Sequence, residues 1–321
     1  MTRLKNHHFV PAAHIAQWSD QPARRRRESL VPVFDKSSGR SRGLSKAANL
    51  ARERDLYAAR LGDVANRAWF DTMDQLLESF LSHLPNTDIE KVKAEAESVG
   101  MRAMCAVDEW TPESIDGADR VAVTRYVGLL IAQHPLMLRA RRPLFDRLFA
   151  ERLTRAMGHA MTEEQQAVLR HPAWEHMGKG VVLVTLHVDA QVHASLLQSY
   201  GCTVLRRASP PFFLYGDAGV FAVHAGVRGP GPGDLADRRS RVLVPCSPRT
   251  ALIFRPEEGD YYREATEHDV RQLNQIVWNR SAREIYGKDL DTVDRSKADG
   301  EPGLQFVPRA ESFPFDIRHR A

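Results

Sequence analysis

Residues 241–254 read Arg-Val-Leu-Val-Pro-Cys-Ser-Pro-Arg-Thr-Ala-Leu-Ile-Phe, and this stretch decides the fold class. Its two ends, Arg241 to Pro245 and Ala251 to Phe254, are apolar runs with the length and composition of β-strands. Pro, Ser and Arg separate them, which is typical of a strand exit. We therefore predict two strands here, joined by a short polar link.

Four more apolar runs precede this stretch, and Pro, Gly and Asp residues punctuate them in the same way. They are Val181 to Leu186, Thr203 to Arg206, Phe212 to Tyr215 and Val220 to His224. A helix is predicted over Ala190 to Tyr200, because Gly201 supplies a C-terminal stop. Further on, Glu267 to Tyr286 has apolar residues at helical spacing, and we expect a closing helix there.

The first half of the chain is predicted to be mainly helical. Apolar residues recur at helical spacing in three segments, which are Ala65 to Leu84, Asp88 to Trp110 and Ala118 to Ala156. Before them, Leu30 to Asp35 has the pattern of one hairpin arm, with the second arm near Ser41 to Leu44. Pro32 favours an edge position for the first arm, because proline cannot donate to a ladder.

This order of elements predicts an α+β fold rather than an alternating β/α fold. It comprises an N-terminal hairpin, a central helical block over residues 63–172, an antiparallel strand-rich C-terminal half over residues 178–256 and a closing helix. We expect one domain over residues 1–290, followed by a polar tail over residues 291–321.

Composition narrows the functional classes. The mean hydropathy is −0.41, and no apolar run reaches the roughly 18 residues that a spanning helix needs. Residues 1–18 lack the apolar stretch of a signal peptide, and three widely spaced cysteines suit a reducing compartment, so we expect a cytoplasmic protein. The net charge of +4 and the pI of about 9.0 are compatible with a nucleic-acid partner without requiring one.

Two short motifs near the N-terminus contain candidate catalytic groups. His7 and His8 are candidates for a general base or a ligand, and the alternative is a pair of packing histidines. Asp35 and Lys36 follow a predicted strand, as in metal-dependent nucleases, where a carboxylate holds Mg²⁺ and a lysine steadies the attacking water. The alternative for this pair is an ordinary hairpin turn before Ser37.

Further candidates lie in the second half and in the helical block. Asp217 is flanked by glycine at a strand junction, where glycine lets a ligand approach, although a hairpin turn favours the same residues. Gln133 and Arg139 interrupt an apolar helix and need partners if they are buried, and Asp217 is one such partner for Arg139. Ser247, at a strand exit, is a candidate phosphate contact. Cys246 beside it has no flanking pattern that would activate it.

Seven motifs occur in a fixed order over roughly residues 5–286. They are His7-His8-Phe9-Val10-Pro11, Val33 to Lys36, Asp55-Leu56-Tyr57, the helix from Gln133 to Arg142, Phe212 to Val220, Pro245 to Pro248, and Leu273-Asn274 with Ala282-Arg283. This ordered set resembles the bacterial family catalogued as domain of unknown function 4238.

The resemblance implies a shared architecture and no particular activity. It raises a set of residues as candidates for one common site, namely His7, His8, Asp35, Asp217, Ser247 and Asn274. The chain departs from the pattern at Gly216-Asp217-Ala218-Gly219, where the family usually has Ser-Asp-Asn-Pro. If those neighbours shape a pocket, this protein has an altered specificity or no activity.

Two main hypotheses follow. In the first, the protein is a metal-assisted or His-dependent hydrolase, a nuclease or phosphodiesterase of a bacterial defence or toxin system. His7 or His8 is then the base or a ligand, Asp35 and Asp217 hold Mg²⁺ or Mn²⁺, and Arg139 clamps a phosphate. Lys36, Gln133, Ser247 and Asn274 are assigned to substrate binding.

In the second hypothesis, the protein is a non-catalytic binder of nucleic acid or a phosphate-bearing ligand. The same polar residues then form a buried network that fixes the fold. A transferase or hydrolase acting on a small molecule or peptide is a third alternative, and the sequence leaves the oligomeric state open.

Overall fold

The computed structural model describes residues 6–8, 10–21, 23–54, 98–111, 118–135, 189–223, 241–256 and 259–289, with scattered positions from 137 to 186 and at 291 and 293. Its strands are β1 (Asn6–His8), β2 (Leu30–Asp35), β3 (Arg40–Lys46), β4 (Arg52–Arg54), β5 (Gly201–Arg206), β6 (Tyr215–Gly216), β7 (Phe221–Val223), β8 (Arg241–Pro245), β9 (Thr250–Arg255), β10 (Tyr261–Glu264) and β11 (Glu284–Tyr286). Its longer helical segments are α1 (Ala12–Ile15), α2 (98–105), α3 (Ala118–Ala132), α4 (189–199) and α5 (Glu267–Arg280).

The larger sheet has five strands in the order β10-β5-β9-β8-β7. Strands β8 and β9 pair antiparallel from Val242 opposite Phe254 to Pro245 opposite Ala251, so the stretch that decides the fold class forms a hairpin at the sheet centre. The pairing of β5 with β10 is parallel, whereas the other pairs are antiparallel. The α+β class is therefore confirmed, with one parallel pair at the edge of a mainly antiparallel sheet.

Both faces of this sheet are covered at its centre, which explains why β8 and β9 are mainly apolar and buried. Alternate side chains of β9 point to opposite faces. Leu252 and Phe254 pack among α2, α3 and α4, whereas Ala251 and Ile253 pack against α5. Helices α3 and α4 approach closely at Gly128, where a Cβ would overlap with the carbonyl oxygen of Ala190.

The smaller sheet has the order β3-β2-β11-β6, so it pairs residues 30–46 with strands from the second half of the chain. The predicted hairpin β2–β3 is confirmed, with Leu30 opposite Lys46 and Asp35 opposite Arg40. A third core lies beneath this sheet, where the N-terminal segment packs Ile15 and Trp18 against Val31 and Val33. Strands β1 and β4 form a separate antiparallel ribbon.

Two details of the predicted layout are wrong. The closing helix ends at Arg280, and residues 284–286 form a strand, because the segment after Ser281 pairs with β2 and β6 instead of continuing the helix. Strand β2 is interior, and β3 lies at the edge. Pro32 is tolerated there because β11 ends at Tyr286, opposite Val33, so the ladder with β11 needs no N–H at Pro32.

Helix α5 begins at a capping box. The Thr266 side chain accepts from the N–H of Asp269, and the Asp269 carboxylate accepts from the N–H of Thr266. Arg263 also contacts this carboxylate at 2.7 Å. Within the described part of the chain, no helix is long and apolar enough to cross a bilayer.

Candidate functional site

Asp217 lies in the turn after β6 and is 2% exposed. Its Oδ1 accepts a 2.8 Å hydrogen bond from the N–H of Ala282, and its Oδ2 accepts a 2.7 Å hydrogen bond from the N–H of Arg283. In return, the N–H of Asp217 donates to the carbonyl of Glu284 at 3.0 Å. The carboxylate therefore joins the turn after β6 to the link between α5 and β11.

Gly216, just before this carboxylate, is required by the close approach of the same link. A Cβ at position 216 would overlap with Ser281 Oγ, and it would lie 3.3 Å from Val277 Cγ1. The Ser281 hydroxyl is held in place because it donates to the carbonyl of Val277 at 2.6 Å. At position 216, where the chain departs from the family pattern, Ser281 therefore leaves room for glycine and not for a larger residue.

Lys36 extends to the C-terminus of α5. Its Nζ donates to the carbonyl oxygens of Trp278 and Ser281, each at 2.6 Å, and its N–H donates to the carbonyl of Arg283 at 2.8 Å. An ammonium group at this position satisfies carbonyls that have no partner within the helix and opposes the negative end of its dipole. Burial lowers the pKa of Lys36, and the charge of Asp217 acts in the opposite direction.

Glu284, on β11, is a third charged member of this cluster that the sequence interpretation missed. Its Oε1 contacts Arg42 at 2.9 Å, and its Oε2 accepts from the N–H of Ala51 at 3.0 Å and from the Tyr286 hydroxyl at 2.7 Å. Glu284 directly follows the Ala282-Arg283 motif, and its position there is the one sequence signal that could have marked it.

Burial raises the pKa of Asp217 to about 6. The N–H groups of Ala282 and Arg283 lower it, and the negative charge of Glu284 raises it further. A carboxyl group that titrates near neutrality is common at functional sites, although structural networks also produce such shifts. Because both oxygens of Asp217 already accept main-chain hydrogen bonds, the arrangement is suited to holding a loop.

Asp35 lies beside this cluster in the sheet, but its carboxylate is engaged elsewhere. The register places Asp35 opposite Glu284, whereas its Oδ1 accepts from the N–H and the hydroxyl of Ser37, at 2.9 and 2.6 Å, and from the N–H of Ser38 at 3.3 Å. The Ser37 hydroxyl lowers the pKa of Asp35. This is the hairpin-turn alternative for the Asp35-Lys36 pair.

Asn274 and Ser247 each hold a neighbouring segment of main chain. Asn274 donates to the carbonyl of Phe212 and accepts from the N–H of Leu214, both at 2.8 Å, and so fixes the approach to β6. Ser247 Oγ accepts from the N–H groups of Arg249 and Thr250 in the β8–β9 turn, both at 3.0 Å, and donates to Asp108 at 2.6 Å. The hydrogen bonds of Asn274 and Ser247 thus hold other segments of main chain than the link that Asp217 holds.

A family model matches residues 6–291 of the chain, which is nearly its whole length, and its description is "Protein of unknown function (DUF4238)". The chain belongs to the DUF4238 family. The resemblance drawn from the ordered motifs is therefore confirmed. No curated protein and no solved structure matches the chain.

The DUF4238 match begins at β1, which contains the paired histidines. His7 is registered opposite Glu53, and His8 opposite Arg52. The structure describes only the main chain of these two histidines, so their assigned roles stay predictions. Arg139 lies outside the described residues, and its proposed phosphate contact stays a prediction too.

The remaining predicted site residue of this DUF4238 protein, Gln133, is buried just after α3, and its N–H donates to the carbonyl of Leu129 at 2.9 Å. Among the residues that the structure describes, no three His, Cys, Asp or Glu side chains are grouped to hold a metal ion. Of the predicted set, the structure thus brings together Lys36 and Asp217.

A buried histidine outside the predicted set lies beneath the sheets. His14 Nδ1 is 3.1 Å from the Tyr126 hydroxyl and 3.3 Å from the Tyr215 hydroxyl. Burial lowers the pKa of His14 to about 4, and the main chain of Pro245 and Cys246 acts in the opposite direction. His14 is therefore neutral at pH 7 and joins the N-terminal segment to α3 and β6.

Proposed function

We propose that this protein binds a nucleic acid or another phosphate-bearing ligand without cleaving it, and that Lys36, Asp217 and Glu284 form a structural network. The engagement of Asp217 supports this proposal most directly. Its carboxylate is almost fully buried, and each oxygen accepts a main-chain N–H. A catalytic carboxylate needs an oxygen that faces the substrate or a metal ion.

The same argument applies to Glu284, because its Oε1 contacts Arg42 and its Oε2 accepts from the N–H of Ala51 and from the Tyr286 hydroxyl. Asp35 instead uses its Oδ1 to hold the hairpin turn. Four consecutive arginines, Arg24 to Arg27, are instead exposed at the surface, where they can meet an anionic ligand. Binding therefore depends on surface cations, and the buried acids maintain the fold that presents them.

Phosphodiester hydrolysis is the second candidate. The pKa of Asp217 near 6, beside Glu284 and Lys36, is the observation that favours it. Under this alternative, opening of the link after α5 exposes Asp217 to a substrate, and His7 or His8 completes the centre. An Mg²⁺ or Mn²⁺ requirement would accompany that reaction.

One experiment distinguishes binding from hydrolysis. The purified protein is incubated in Mg²⁺ or Mn²⁺ with labelled DNA and RNA, each in single-stranded and duplex form. We expect binding in a mobility-shift assay and intact substrate after prolonged incubation. Cleavage by the wild type that is lost in both His8→Ala and Asp217→Asn, with wild-type folding by circular dichroism, would establish the hydrolase instead. Glu267→Gln serves as the control, because its carboxylate is exposed on α5, where it pairs with Arg271, and belongs to no proposed centre.

A further inference from the structure

The positive charge of this chain is concentrated in one short segment. Residues 23–52 contain nine Lys and Arg residues against two acidic residues, which gives a net charge of +7. The whole chain has a net charge of +4, so the remaining residues together carry −3. A segment of opposite sign to the rest of its chain indicates a surface for an anionic partner.

The fold places several of these cations along one edge of the smaller sheet. Strand β3 is the edge strand of the order β3-β2-β11-β6, and it carries Arg40, Arg42 and Lys46. At its end, Lys46 contacts Glu28 at 2.8 Å, which fixes the turn containing Arg24 to Arg27 beside the strand. With a rise of about 3.3 Å per residue, β3 alone spans roughly 20 Å. Arg52 directly follows Ala51, whose N–H donates to Glu284, the same carboxylate that contacts Arg42 of β3. We call β3 with residues 24–27 and Arg52 the basic ridge.

The ridge has two kinds of cation. Four are held by neighbouring side chains, namely Arg42 by Glu284, Lys46 and Arg27 by Glu28, and Arg26 by Cys105. Four other arginine side chains are exposed and make no hydrogen bond or ion pair within the part of the chain that the structure describes. These four are Arg24, Arg25, Arg40 and Arg52. They can exchange water for phosphate without breaking any contact among the residues that the structure describes.

The chemistry of the ridge fits the phosphate backbone of a nucleic-acid duplex. Its cations are mostly arginine, whose planar guanidinium binds phosphate in a bidentate manner. The one aromatic residue of segment 23–52, Phe34 on β2, is 3% exposed, so this segment itself offers no platform on which unpaired bases would stack. Over roughly 20 Å, a duplex presents about six phosphates per strand, enough to engage all four arginines.

Two features disfavour other partners. An added peptide strand is opposed by the irregular register between Val33 and Phe34 and by the positive φ of Gly43, which interrupt the edge of β3. Leu30 and Leu44 are exposed near Lys46 and would suit a lipid surface. Two leucines bury too little apolar area to anchor a protein in a bilayer, since even a whole myristoyl chain does so only marginally.

We propose that the basic ridge is the surface on which this protein binds the sugar–phosphate backbone of duplex nucleic acid, independently of base sequence. This inference rests on the proposed binding function and assigns it to one surface. Binding releases the cations condensed on the phosphates, and affinity therefore falls with salt concentration.

The test uses the full-length protein and a fluorescein-labelled duplex of about 20 base pairs, long enough to cover the ridge, titrated by anisotropy at several salt concentrations. The ridge variant is Arg24→Gln, Arg25→Gln, Arg40→Gln and Arg52→Gln combined. The control variant replaces four exposed arginines elsewhere by glutamine, namely Arg125, Arg147, Arg155 and Arg249. Both variants lose four positive charges, so they differ only in where the charge is removed.

We expect the ridge variant to bind at least about ten-fold more weakly at about 0.1 M salt, and the slope of log affinity against log salt to fall by about 3 to 4. The control variant should keep most of the wild-type affinity and slope. Equal losses in both variants, or an unchanged ridge variant, would overturn the ridge while leaving nucleic-acid binding intact. No binding by the wild type would overturn the binding function as well. Binding to phosphatidylserine vesicles but not to the duplex would replace nucleic acid by a membrane surface.

Discussion

The carboxylate of Asp217 accepts a 2.7 Å hydrogen bond from the main-chain N–H of Arg283, 66 positions further along the chain. This bond, together with the one from Ala282, holds the link between α5 and β11 against the turn after β6. The exit of the closing helix is therefore fixed by a side chain that follows the neighbouring strand of the smaller sheet.

Replacing Asp217 by Ala should destabilise the protein by about 2 to 4 kcal/mol, because two buried main-chain N–H groups lose their acceptor. Urea denaturation followed by circular dichroism measures this loss. Asp35→Ala is the control and should cost under about 1 kcal/mol, since Asp35 holds a turn at the surface. Equal free energies of unfolding for the two variants would contradict the structural role of Asp217.

The stability of the fold should also depend on the ionisation of Asp217. Burial raises its pKa from the ordinary value of 3.8 to about 6, so between these values the folded state binds more protons than the unfolded state. The Asp217 contribution therefore falls as the pH rises from about 4 to 6, by about 3 kcal/mol for a shift of this size. We expect the wild type to lose this amount relative to Asp217→Asn, in urea melts across that range. Parallel pH profiles would show that Asp217 has an ordinary pKa.

His14 should act in the opposite sense over nearly the same range. Burial lowers its pKa from 6.5 to about 4, so the unfolded state binds more protons in between, and the contribution of His14 grows as the pH rises. The two effects offset one another in the wild type. In Asp217→Asn, the stability should therefore rise from about pH 4 to 6, and the further change His14→Asn should flatten that slope. If stability still rises with pH after His14 is replaced, other titrating groups cause that rise.

A methyl group at position 216 should be tolerated only if Ser281 is made smaller. Gly216→Ala places a Cβ against Ser281 Oγ and should cost about 1 to 3 kcal/mol from overpacking. Adding Ser281→Gly removes the obstructing side chain and should recover about 1 kcal/mol or more as a coupling energy in a double-mutant cycle. Additive losses would mean that the strain at position 216 arises elsewhere.

Lys36 and Lys46 offer a matched comparison of a half-buried and an exposed ammonium group. Lys36→Met should cost about 1 to 3 kcal/mol, because the carbonyls of Trp278 and Ser281 lose a charged donor. Lys46→Met removes an exposed contact with Glu28 and should cost clearly less than Lys36→Met. Thermal melts of the two variants, with urea titrations at room temperature, measure the difference. Similar losses would argue against a capping role for Lys36.

The ordered motifs were a sound guide to the family and an incomplete guide to the candidate site. Asp35 and Lys36 are adjacent in sequence, yet the Asp35 carboxylate holds its own hairpin turn, and Lys36 reaches the end of α5. Adjacent residues near a strand end diverge because successive side chains point to opposite faces. Glu284 was missed because it looked like part of a helix, and only its pairing with β2 makes that segment a strand.

Local patterns by themselves determined the α+β class, the hairpin β2–β3, the strands β5, β8 and β9 and the helix before Gly201. In these elements, apolar spacing and turn residues act over a few positions, so no distant contact is needed to form them. Tertiary structure alone decided that Asp217 would meet Ala282 and Arg283, that the closing helix would stop at Arg280, and that Arg42 would meet Glu284. Each of these depends on contacts between segments far apart in the chain, and the pairing of β11 between β2 and β6 brings those segments together.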